Sequence, residues 1–157
     1  MIGVVIRPPE GARSAWHYVT HGLPTELVLA TPAACEWAAR LLVELGSYLI
    51  AEDVSILPGD RLPTGAFARV TKGTTLTHLF ATTSPEHPYL QLVGATSAEV
   101  EHAKKEGGAF GTKVLGETLR RMGVGYVTDP ARRSITEAAD FERTWREVAS
   151  GMLPAWG

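Results

Sequence analysis

One cysteine, Cys35, is present in 157 residues. A lone thiol closes no internal disulfide, and thiolate zinc sites need several. Charge of one sign is also missing: fifteen Lys and Arg stand against seventeen Asp and Glu, a net charge of −2. Such a chain has no basic field to draw phosphates, which disfavours nucleic acid as a partner. Long apolar runs are absent. Met1 to Ile6 stops at Arg7-Pro8-Pro9, short of the roughly 7–15 residues of a signal-peptide core. Ala33 to Ile50 is the most apolar region, but Glu36, Arg40 and Glu44 interrupt it. A spanning helix needs about 20 mostly apolar residues, so a membrane is excluded and the cytoplasm is the expected location. What remains is ordinary: 45% hydrophobic and 20% charged residues, a balance that folds rather than staying disordered. The length fits one domain, residues 1–157, able to bury roughly 70% of the surface its unfolded chain exposes.

The first third reads as strands. Gly3 to Arg7, Trp16 to Thr20 and Glu26 to Thr31 are β-branched or alternating, and glycines and prolines bound them. Ala33 to Glu52 is the clearest helix: Trp37, Leu41, Leu45 and Tyr48 recur at helical spacing, widened by Ala38, Leu42 and Leu49. Gly46 inside that helix costs about 1 kcal/mol against alanine, which a close packing neighbour would explain. Pro58-Gly59-Asp60 and Pro63-Thr64-Gly65 are turn chemistry. Phe67 to Thr71, Thr75 to Ala81 and Tyr89 to Gly94 then read as three strands, the last two joined through Ser84 to Pro88 as a hairpin. In the middle one Leu76, His78 and Phe80 face one way, and Thr75, Thr77, Leu79 and Ala81 the other.

Thr96-Ser97-Ala98-Glu99 is a capping box that opens a helix to about Glu106. Gly107-Gly108 ends it, and a second helix near Thr112 carries Leu115, Leu119 and Met122. Val124 to Thr128 reads as a short strand. Thr136 caps a last helix, residues 137–150, with Phe141, Trp145 and Val148 in a stripe, and a short tail follows. Strands, helix, strands, helices, strand, helix is the order of an α+β domain: a mixed β-sheet with helices packed on it.

Candidate chemistry is sparse. His17 and His21 have HxxxH spacing, but on a strand they lie about 13 Å apart, too far to share an ion. Gly107 to Lys113 resembles a phosphate loop only loosely, since Thr112 separates Gly111 from Lys113 and the segment follows a helix rather than a strand. Cys35 sits at the first turn of the long helix with no histidine near it in sequence. His78 alternates with apolar residues on a strand. Asp60 lies in a Pro-Gly-Asp-Arg turn, either as a turn cap, paired with Arg61, or as a charged surface contact. An enzyme of hydrolase type would need Asp60, His78 and Cys35 to converge in one pocket. A third reading is a homo-oligomer held by the apolar tail Met152 to Trp156. No metal or cofactor is expected.

The order of short segments resembles a known family. Trp16 to Leu23 is similar to the WHYVTxGL segment of the suppressor-of-fused-like domain. Leu41-Leu42 with Leu45 to Tyr48 resembles its LL..LA.Y helix, Pro58 to Leu62 its GD turn, and Tyr89 to Gly94 its FLQLVG strand. Thr96 to Glu99 resembles the helix start after that strand. Val127-Thr128-Asp129 with Arg133-Ser134-Ile135 resembles the VTD..R.S[IV] ending, so the likeness covers about residues 3–136. The resemblance implies a protein- or peptide-binding domain and no catalytic residues. In animals the family restrains a transcription factor by clamping an extended peptide between two lobes. Bacterial single-domain members lie near secreted polymorphic toxins and are proposed immunity proteins, and such a role is the expectation here. Two peptide-groove positions of the family match Tyr48 and Asp60, twelve residues apart as in the family pattern. The two-lobed clamp does not transfer, because these residues supply one lobe. The stretch from Leu23 to Glu26 and the hairpin loop at Ser84 to Pro88 are shorter than in the family.

Overall fold

The structure is a computed structural model, and it describes residues 1–62, 65–86 and 88–152. Its strands are β1 (Gly3–Arg7), β2 (Trp16–His21), β3 (Leu27–Thr31), β4 (Leu76–Thr83) and β5 (Leu90–Thr96). Its helices are α1 (Glu36–Ala51), α2 (Gly65–Val70), α3 (Ser97–Lys105), α4 (Gly108–Arg121) and α5 (Phe141–Met152). One turn of 3₁₀ helix spans Ile135–Glu137. The strands form one mixed sheet in the order β1-β2-β3-β5-β4. The β1–β2, β2–β3 and β4–β5 pairs are antiparallel and the β3–β5 pair is parallel. The α+β reading and the β4–β5 hairpin therefore hold.

Two apolar cores lie on the two faces of this sheet. On one, α1 contributes Ala38, Leu41, Leu42, Leu45 and Leu49, and α2 contributes Phe67; they pack on Tyr18, Leu27, Leu29, Leu79 and Leu92. On the other, Val114, Leu115 and Leu119 of α4 and Phe141, Trp145 and Val148 of α5 pack on Phe80, Val93 and Ala95. Burial on this scale supplies about 25 cal/mol for each Å² of apolar area removed from water. The neighbour that Gly46 requires is Ile2: a methyl at Gly46 would lie 3.1 Å from Ile2 Cγ2. At Gly111 a methyl would overlap the carbonyl oxygen of Ala103. The glycine of the apparent phosphate loop is there so that α4 can approach α3.

Five local expectations are corrected. Phe67 to Thr71 is not a strand, because the helix α2 occupies Gly65–Val70. Phe67 is fully buried there, edge-on to the Trp37 ring at 6.3 Å. Tertiary packing decides what β-favouring composition does not. Thr71 closes the turn, its N–H and hydroxyl both donating to the Phe67 carbonyl. In β4 the pairing register shifts between Leu76 and His78. That irregularity moves Leu76 onto the face of Leu79 and Ala81, leaving Phe80 on the other. Val124 to Thr128 is not a strand; only Val127 forms a bridge, to Ala30. Finally, Ser134 rather than Thr136 is the cap, and it caps the 3₁₀ turn, with α5 starting at Phe141. Trp37, expected in the core, is half-buried against it.

Candidate functional site

Tyr48 stands in the last turns of α1. The helical stripe that buries Leu45 and Leu49 leaves Tyr48 outside, 44% exposed. Its side chain borders a cavity of about 220 Å³ between α1 and α2, floored by Leu41, Leu45 and Leu79. Glu44 and Arg69 close the rim as an ion pair at 3.4 Å.

Asp60 reaches the same region by another route. The Leu57 to Asp60 turn folds on itself: Asp60 N–H donates to the Leu57 carbonyl at 3.0 Å, and Leu57 N–H donates to Asp60 Oδ2 at 2.9 Å. The chain then runs along the outer edge of β4. Gly59 N–H donates to the Ala81 carbonyl, Ala81 N–H to the Asp60 carbonyl, and Leu62 N–H to the Leu79 carbonyl. Tyr48 and Asp60 thus lie around one stretch of β4, Leu79 to Ala81. Asp60 is half-buried, and its carboxylate is a turn cap with no ion pair among the described residues. The expected Arg61 partnership is absent; Arg61 bridges Phe80 through its backbone instead. Asp60 Oδ1 accepts no hydrogen bond from a described residue.

The groups an enzyme would need are each held elsewhere. Cys35 is the N-cap residue of α1; its N–H donates to Tyr18 Oη at 2.9 Å, and its Sγ lies 3.7 Å from Thr31 Oγ1. His78 Nδ1 lies 2.8 Å from Thr77 Oγ1. Burial, then Lys104 and Arg61, pushes the His78 pKa below the usual histidine value. No described hydrogen bond or cavity joins any two of Asp60, His78 and Cys35. His17 and His21 both lie on β2, and His17 faces Glu86 at 3.8 Å with its pKa lowered chiefly by burial. Among the described residues no three His, Cys, Asp or Glu side chains cluster to hold a metal ion. No described helix is long and apolar enough to cross a membrane. Trp156, the tail Leu153 to Gly157, the Pro63-Thr64 turn and His87 of the hairpin loop lie outside the described residues.

The residue pair that sequence reasoning missed is Glu99 with Arg132. Glu99 is fully buried, and its Oε1 and Oε2 accept from Arg132 at 2.6 and 2.7 Å. The same carboxylate accepts from the N–H groups of Thr96 and Ile135. Arg132 also donates to the Gly94 carbonyl. The arginine that ties the chain after α4 back to α3 is therefore Arg132, not the Arg133 beside it. The capping box was legible in sequence, and a glutamate with that role was the available signal; its second partner, thirty-three residues on, was not.

One mixed sheet with helices on both faces, two cores and a β4 edge partly covered by the Asp60 segment defines an α+β domain in which Tyr48 borders a groove and Asp60 caps a turn on the neighbouring strand edge. The chain belongs to the suppressor of fused family: the family model "Suppressor of fused protein (SUFU)" matches residues 1–133. No curated protein matches it by sequence. Among solved structures it is similar to "the Sufu-Fu complex crystal structure", at 19% identity and a TM-score of 0.70, covering 94% of this chain and 81% of that one. It is also similar to the crystal structure of Drosophila Suppressor of Fused, at 19% identity and a TM-score of 0.69, covering 96% of this chain. The chain spans 46% of the length of that Drosophila chain.

Proposed function

We propose that this chain is a protein-binding domain, a bacterial immunity protein that neutralises a cognate toxin in the cytoplasm, with Tyr48 and Asp60 in the contact surface and no catalytic role. The observation that carries the reading is the family match over residues 1–133. The likeness to the structure of a Sufu–Fu complex supports a protein as the partner class. The local geometry fits. Tyr48 offers exposed aromatic area with a polar tip beside a groove, which suits an interface centre. Asp60 keeps one oxygen for its turn and has a second one to accept a charge-assisted bond from a partner's cation or amide. Neutralising a toxin by direct binding asks for a rigid surface of this kind and for no reacting group.

Asp60→Asn separates contact from capping, because the amide oxygen still accepts the Leu57 N–H while the charge is gone. Titration calorimetry with a cognate toxin domain is expected to show affinity lowered by about 1–3 kcal/mol, with folding stability nearly unchanged. Unchanged affinity would remove Asp60 from the interface. A lowered melting temperature with intact binding would leave it a turn cap alone.

A further inference from the structure

The two edges of the sheet differ. Beyond β4 the Gly59 to Leu62 segment takes up edge hydrogen bonds. Beyond β1 nothing does: among the described residues no backbone group bonds the outer side of Gly3–Arg7. Natural edges are usually blunted by lysine, proline, a bulge or a covering segment. β1 has none of these inside its five residues, and its register with β2 runs unbroken from Gly3 to Arg7. Val5 and Ile6 are each 51% exposed, although both are apolar.

We infer that β1 is a self-pairing edge, and that two copies of this chain join antiparallel through it about a two-fold axis at Val5. A second copy fits this edge for three reasons. Pairing centred on Val5 sets Val5 against its own copy, Val4 against Ile6, and Gly3 against Arg7. Residues opposite each other across such a pair interact directly, and like charges there are destabilising. The one charge of the strand, Arg7, meets a glycine, and Glu86 already faces it at 3.5 Å. Second, Gly59 to Leu62 covers the far edge along Leu79 to Ala81, which leaves a head-to-tail neighbour only the short ends of β4, whereas β1 paired with itself closes as a symmetric dimer. Third, Ile6 borders an open cleft of about 480 Å³ with Trp16, Tyr18, Cys35 and Ala39. Pairing would lay Val4 of the second copy beside that apolar lining. The joint differs from the tail contact considered from sequence, and it leaves Tyr48 and Asp60 at the other end of each sheet open.

A five-residue edge buries little area, so the dimer should be a dissociable one, at the small end of specific interfaces. Sedimentation of the whole chain from about 1 to 200 μM should show mass rising toward twice 16.9 kDa. Val5→Lys, which sets two ammonium groups face to face on the axis, should remain monomeric, with a melting curve that matches wild type at the dilute end of that range, since Val5 is half exposed. Val5→Glu should do the same, and an equimolar mixture of the two should recover the dimer. A wild-type monomer across the range would overturn self-pairing and leave the edge to a foreign strand. A Val5→Lys protein that still dimerises, or a mixture that stays monomeric, would overturn the Val5 axis.

Discussion

Arg132→Ala is expected to lower the unfolding free energy by about 3–5 kcal/mol, the cost of stranding one member of a buried ion pair. Glu99 has no exposed surface, and the Arg132 side chain has 8% of its own. The guanidinium meets the carboxylate through two nitrogens, a geometry in which both charges are satisfied together. Removing it leaves the carboxylate with only the Thr96 and Ile135 amides and the Ser134 hydroxyl as donors. Those bonds satisfy lone pairs without cancelling the charge. Arg133→Ala is the control, since Arg133 is exposed, and it should stay within about 0.5 kcal/mol of wild type. Urea melts of both variants decide the matter. A loss below about 1 kcal/mol for Arg132→Ala would show that the pair does not hold the segment after α4 to α3.

Trp145→Ala should cost about 3–5 kcal/mol, the range for deleting a buried aromatic side chain. Trp145 is 2% exposed and lies at the centre of a small aromatic group, 4.5 Å from the His102 ring and 5.7 Å from Phe141. Its indole N–H donates to Glu106 Oε1 at 3.1 Å, joining α5 to the end of α3. The family model ends at residue 133, before α5 begins. The measurement therefore asks whether α5 is an appendage or a wall of the core. Denaturant melts showing under about 1 kcal/mol would make it an appendage. Trp145→Phe should cost less than the alanine change, because it keeps most of the apolar area and loses the bond to Glu106.

Periodic and capping signals carried well from sequence to structure, while signals that depend on distant contacts did not. The α1 stripe named Leu41, Leu45 and Leu49 correctly, because a 3.6-residue period survives any tertiary arrangement. It placed Tyr48 on the same stripe, at the margin where burial depends on what lies opposite, and the opposing α2 leaves a cavity there. The Thr96 to Glu99 box is formed to the atom, since both of its bonds lie within four residues. Phe67 failed because its composition favours a strand while the Trp37 ring decides the packing. The β4 alternation failed at Thr77, since an irregularity in pairing has no signature in the strand that carries it. At the candidate site, the turn holding Asp60 was legible from Pro58-Gly59. Its bonding to β4, which sets the Asp60 segment along Leu79 to Ala81, required the fold.

Strand β5 is buried along its whole length, and its alternate residues feed both cores: Leu90 and Leu92 one, Val93 and Ala95 the other. Neither layer of helices can leave without stripping one face of a strand the other layer also rests on. The α1 side and the α3–α5 side are thus expected to melt as one cooperative unit rather than one half before the other. The amides of β5 open to solvent only when everything does. Their hydrogen-exchange rates would read the global unfolding free energy directly, and those of β1, at the free edge, something smaller.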